Sequence, residues 1–138
     1  MFECKNELVT IPNKFFKGVI TEEKVTELNA LFNQRATEGR ELLTHTFMVA
    51  VGESGKENAM LITFRATEKA ASTVEYKCEL MEVPNKFLST ALINEKQVAE
   101  LDVLFNQRIA EGWEPVAQTY ITSTSDTPKM FITFKKTK

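Results

Sequence analysis

The chain has 138 residues, 43% hydrophobic and 26% charged, with a formal net charge of -2. This length allows one ordinary core or two half-units sharing one, and the composition is that of a globular protein rather than a disordered one. The near-neutral charge gives no field for gripping DNA or RNA, and no run of about 18 apolar residues could span a membrane as a helix, so neither partner is expected.

The segment Met1–Glu7 lacks the basic-then-apolar order of a secretion leader, which predicts a cytoplasmic protein, in a bacterial cell or a phage-infected host. A strand is predicted over Glu3–Ile11, closed by Pro12, which cannot donate to a ladder. Thr21 stands at a helix N-cap. From there Val25, Leu28, Phe32 and Ala36 draw a single apolar stripe at helical spacing, and Gly39 falls where a left-handed C′ residue ends the helix. Two strand-like runs follow, Glu41–Val51 and Ala59–Arg65, joined by a turn-rich loop that predicts a hairpin. After a small, polar joint the order repeats. The second strand set opens at Glu75–Val83 before Pro84, and Asn94 with Gln97 makes a capping-box pattern. A stripe of Val98, Leu101, Phe105 and Ile109 ends at Gly112, ahead of strands at Glu114–Ser123 and Lys129–Lys136.

The two halves also match residue by residue. Phe32-Asn33-Gln34-Arg35 returns as Phe105-Asn106-Gln107-Arg108, Pro12-Asn13-Lys14-Phe15 as Pro84-Asn85-Lys86-Phe87, and Leu61-Ile62-Thr63-Phe64 as Phe131-Ile132-Thr133-Phe134. We therefore expect an α+β fold of tandem duplicated β-α-β-β units: repeats at 1–66 and 75–138, with a linker at 67–74. The expected arrangement is a six-stranded, mainly antiparallel sheet with two helices on one face, the units related by a pseudo-two-fold axis. The hairpins are partly apolar on both sides, which suggests self-association through the helix-free face and a homo-oligomer.

The Glu111-Gly112-Trp113-Glu114 helix end, preceded by Leu104-Phe105-Asn106 and an opening Tyr76-Lys77 strand, resembles the small bacterial and bacteriophage domains of domain-of-unknown-function family 4177. The likeness implies the β-α-β-β unit and no particular activity. The chain departs from that pattern at Arg35-Ala36 and Arg108-Ile109, at Arg40 in place of the tryptophan, and at Pro115 in place of the leucine that follows the motif.

The sequence offers little to a reaction. His45 is the only histidine, its counterpart is Gln118, and on a strand it is expected to be a hydrogen-bonded structural residue. Cys4 and Cys78 fall at non-equivalent places and are expected as free thiols. No catalytic residue, metal or cofactor is expected. The retained polar residues point instead to binding. Arg35 and Arg108 lie at the border of the buried stripe, where a guanidinium rests its stem on apolar surface and turns its fork outward, a geometry suited to phosphate or carboxylate. Pairs with Glu38 and Glu111 one turn on would account for the arginines and the acids, leaving the repeated Asn-Gln unexplained. The candidate ligand-binding residues are Arg35, Arg108, Asn33, Asn106, Gln34, Gln107, Arg40, Trp113 and Tyr120, with Phe15 and Phe87 as further aromatic neighbours. The expected function is a non-enzymatic module that sequesters a small anionic ligand, such as a nucleotide signal, in the manner of a phage sponge. The alternative is a protein–protein or structural adaptor using the apolar sheet face.

Overall fold

The computed structural model describes residues 3–11, 20–51, 57–66, 74–82, 95–123 and 126–137. The elements are β1 (Glu3–Ile11), α1 (Glu22–Thr37), β2 (Arg40–Val51), β3 (Glu57–Ala66), β4 (Val74–Glu82), α2 (Glu95–Ala110), β5 (Glu114–Ser123) and β6 (Asp126–Thr137). The tandem β-α-β-β order is as expected. Thr21 caps α1, its side chain accepting from the Lys24 N–H at 3.2 Å. Gly39 and Gly112 take φ of 81° and 94°, the left-handed conformation that reverses the chain into β2 and β5 with no Cβ penalty. Asn94, Phe15, Phe87, the prolines at 12 and 84 and the joint at 67–73 lie outside the described residues.

Each hairpin forms, and each first strand joins the far side of its third. The orders are β1-β3-β2 and β4-β6-β5, all pairs antiparallel. Register shows the duplication directly: Cys4 faces Arg65 and Asn6 faces Thr63, as Tyr76 faces Lys135 and Cys78 faces Thr133.

The six strands form two three-stranded sheets, where a single continuous one was expected. Side chains occupy the edges that would have joined them. Thr119 Oγ1 donates to the His45 carbonyl on β2 at 2.6 Å, and the amide of Asn33 takes the outer edge of β4. The units are also not related by a two-fold axis. Helix α1 packs against β4 of the second unit, while α2 makes no comparable contact with β1. The relation is head to tail.

Packing follows this asymmetry. Ile62 and Phe64 of β3 bury against Val25, Leu28, Phe32 and Ala36 of α1, and the same cluster takes in Tyr76, Ile121 and Phe131 from the second unit. A smaller cluster of Met130, Ile132 and Phe134 packs Leu101, Leu104, Phe105 and Trp113 on the other face of the second sheet. The predicted α2 stripe is only half realised: Val98 is 48% and Ile109 52% exposed, whereas their counterparts Val25 and Ala36 are buried. Nothing among the described residues covers α2 as the second unit covers α1.

Candidate functional site

The arginines of the repeated motif fasten each helix to the first strand of its own unit. Arg35 Nε and Nη2 donate to both carboxylate oxygens of Glu7 at 2.8 Å, and Arg108 makes the same fork on Glu79 at 2.6 and 2.7 Å. The expected pairs with Glu38 and Glu111 are present but longer, at 3.4 Å. The hydrogen bond from Arg35 holds the Glu7 carboxyl below its ordinary range, and the bonds that Arg35 and Arg108 donate to Glu7 and Glu79 raise the two guanidinium pKa values. Both forks point inward to the sheet, so the edge they were expected to offer a ligand is engaged by carboxylate. Glu7 and Glu79 were missed in the sequence, although both copies read Glu, one residue, Lys, one residue, Glu-Leu along the opening strand.

Asn33 binds something quite different. Its Oδ1 accepts from the Tyr76 N–H at 2.8 Å and its Nδ2 donates to the Tyr76 carbonyl at 3.0 Å, so one side-chain amide stands in for a neighbouring strand. One turn earlier, Asn29 Oδ1 accepts from the Cys78 N–H at 2.8 Å. Three outward groups of the β4 edge, the Tyr76 N–H and carbonyl and the Cys78 N–H, are thereby satisfied from a helix, which removes an open template for strand pairing. Phe32 meets the Tyr76 ring edge-on at 6.3 Å, and the Tyr76 hydroxyl accepts from the Leu42 N–H at 2.9 Å.

His45 pins the same interface from β2. Thr119 has one hydroxyl proton and gives it to the His45 carbonyl, so it can only accept from the ring; Nδ1 therefore carries the hydrogen. Nε2 then accepts from Thr133 Oγ1 at 3.0 Å, leaving the Cys78 thiol to donate to that hydroxyl at 3.5 Å. Burial drives the His45 pKa down to about 4 and the Cys78 thiol up to about 12. A neutral imidazole and a protonated thiol form an ordered, unreactive chain of hydrogen bonds.

Among the described residues, nothing covers the counterpart surface of the second unit. Phe105, Pro115, Val116, Ala117 and Gln118, which correspond to Phe32, Leu42, Leu43, Thr44 and His45, line a cavity of about 310 Å³. Asn106 is exposed and, among the described residues, reaches only the Asp102 carbonyl of its own helix at 2.8 Å. Gln34 and Gln107 face solvent. Arg40 lies near enough to Glu7 to help lower its pKa. Trp113 packs on the smaller core, with Lys77 and Lys136 ammonium groups 5.8 and 5.3 Å from its ring centre. Tyr120 packs there too, its buried hydroxyl without a hydrogen-bond partner among the described residues. The structure thus leaves Asn106 exposed on α2 next to the cavity-lining Phe105, places Trp113 and Tyr120 against the sheet, and commits Arg35 and Arg108 to Glu7 and Glu79.

Among the described residues no group of three or more His, Cys, Asp or Glu could hold a metal ion, and no helix is long and apolar enough to cross a membrane. No protein-family model, curated protein or solved structure matches the chain.

Proposed function

We propose that the chain is a non-enzymatic interaction module whose α2–β5 groove receives the edge and face of a β-structured polypeptide. One observation carries this reading: the first unit uses the equivalent groove to hold β4, with helix amides on its backbone and aromatic contact behind it, and no described residue of another element fills that groove in the second unit. Recognition of this kind takes affinity from main-chain hydrogen bonds, as in strand-edge capture generally. A photo-crosslinking phenylalanine at Gln118, irradiated in cells, is expected to form an adduct with a polypeptide, and the same group at Val103 is not. Absence of any polypeptide adduct at Gln118 would sink the reading.

A different observation favours a second reading, capture of a small anionic ligand such as a nucleotide. Lys77 and Lys136 gather two positive charges at the Trp113 ring, a setting in which a base could stack and a phosphate pair. Calorimetry against a nucleotide panel, with Lys77→Ala and Lys136→Ala as controls, separates this from the first.

A further inference from the structure

We propose that the occupant of the α2–β5 groove is the first sheet of a second copy, so that chains join head to tail by repeating the contact already made between their two halves. The inference rests on the interaction-module reading and specifies its partner.

Two surfaces meet inside the chain, and two equivalent ones do not. Inside, the α1–β2 side of unit one meets the outer edge and helix-free face of unit two. The remaining surfaces are their copies: α2–β5 on one side, and the β1 edge with the helix-free face of the first sheet on the other. Both look unfinished. Val98 and Ile109 are half exposed where Val25 and Ala36 are buried. On the opposite surface Leu8 is 57% exposed, while its counterpart Leu80 packs into the main core. Leu61 and Thr63 are only half-buried, while Phe131 and Thr133 are fully buried by unit one.

The polar groups then match when the internal contact is repeated between chains. Register puts Cys4 and Asn6 on the outer edge of β1, as Tyr76 and Cys78 are on β4. Asn106 would take the N–H and carbonyl of the partner's Cys4, as Asn33 takes those of Tyr76. Asp102 replaces Asn29, but the group needed there is an acceptor for an N–H, and a carboxylate oxygen serves. Gln118 replaces His45. Its amide can donate to the partner's Thr46 and accept from the partner's Thr63. In the lone chain the Thr63 hydroxyl donates to Asn6 Oδ1 at 2.6 Å, and it is free to turn if the Asn6 amide flips to donate to it.

One internal hydrogen bond cannot be repeated, and both of its halves are missing together. The Tyr76 hydroxyl accepts from the Leu42 N–H. In the second contact the residue matching Leu42 is Pro115, which has no N–H, and the residue matching Tyr76 is Cys4, which has no hydroxyl. A groove meant for an unrelated molecule gives no reason for that paired loss. A heterologous contact of this type closes into a ring or runs on as a filament, and each chain supplies one of each surface.

The test uses the full chain and two blocking variants. Ile109→Glu closes the α2 surface and Leu8→Lys closes the β1 surface; both positions are exposed in a lone chain, so circular dichroism should show each folded. Light scattering is expected to find the wild type assembled, each variant monomeric, and their equal mixture a dimer and no larger, because the one intact α2 surface meets the one intact β1 surface. Val103→Lys, off the stripe, should assemble as the wild type does. Cys4 supplies a second readout: exposed in a lone chain, it should resist maleimide in the assembly, while half-buried Cys78, its thiol held protonated, labels slowly throughout. A wild type that is monomeric at every concentration overturns the proposal, as does assembly that survives both variants or fast labelling of Cys4 in the assembled species. A monomeric wild type whose Gln118 probe crosslinks a foreign protein would leave the interaction reading standing; no polypeptide adduct at all would remove both.

Discussion

His45 is the residue at which the chain's chemistry is clearest. A free imidazole titrates near 6.5, and this one near 4, because charging it would place a cation among Phe32, Phe131 and two threonine hydroxyls. Protonation would also turn Nε2 into a donor facing Thr133, forcing that hydroxyl to release its proton toward Cys78. The sign follows from the depressed pKa. Between 6.5 and 4 the unfolded chain binds the proton and the folded chain does not, so folding stability from this group is complete above 6.5 and declines as pH falls through that window. The full difference is on the order of 3 kcal/mol. Denaturant titrations of the wild type and His45→Gln across pH 4 to 7 should show a steeper loss toward acid in the wild type; carboxylates such as Glu7 contribute to both and cancel in the difference. Parallel slopes would mean that the ring is not held neutral. The sequence marked this histidine, the only one, as a hydrogen-bonded residue on a strand, but the threonines that bond it come from residues 119 and 133, and only the fold brings them near.

At the scale of elements, the same four-residue motif performs two tasks that its spelling does not separate. Arg35 and Arg108 each tie a helix to its own strand, and here the copies agree. Asn33 and Asn106 do not: one is clamped to β4 and the other is exposed, although their helices are nearly identical in this stretch. Helix period, N-cap and C′ glycine were readable because each depends on residues within a few positions. The clamp was not, because its partner is a backbone, and a backbone edge has no letter in the sequence. Asn33→Ala should therefore cost about 2 kcal/mol, since it leaves the Tyr76 N–H and carbonyl without partners at a partly buried edge. Asn106→Ala should change the stability of a lone chain by less than about 0.5 kcal/mol. Measuring the pair in the Leu8→Lys background, where docking between chains is blocked, keeps assembly out of the comparison. Equal losses would mean that α1 does not close the β4 edge.

For the whole molecule, the consequence of head-to-tail packing is that the halves cannot unfold separately, despite being copies of one unit. The main core mixes Ile62, Phe64 and Phe32 of the first unit with Tyr76, Ile121 and Phe131 of the second, so opening either half exposes apolar surface on both. Two loosely tethered domains, each complete in itself, would instead melt independently. Trp113 is the only tryptophan and lies in the second unit, which makes it a remote reporter on the first. Ile62 is fully buried on β3, and trimming it to valine removes one methyl group at a cost of about 1 kcal/mol. The prediction is that Ile62→Val lowers the denaturant midpoint read from Trp113 fluorescence by the same amount as the midpoint read from far-ultraviolet dichroism, with an unchanged slope in both. A tryptophan transition that stays fixed while the dichroism splits into two would show that the second unit stands alone, and the shared core between α1 and the second sheet would then contribute little to stability.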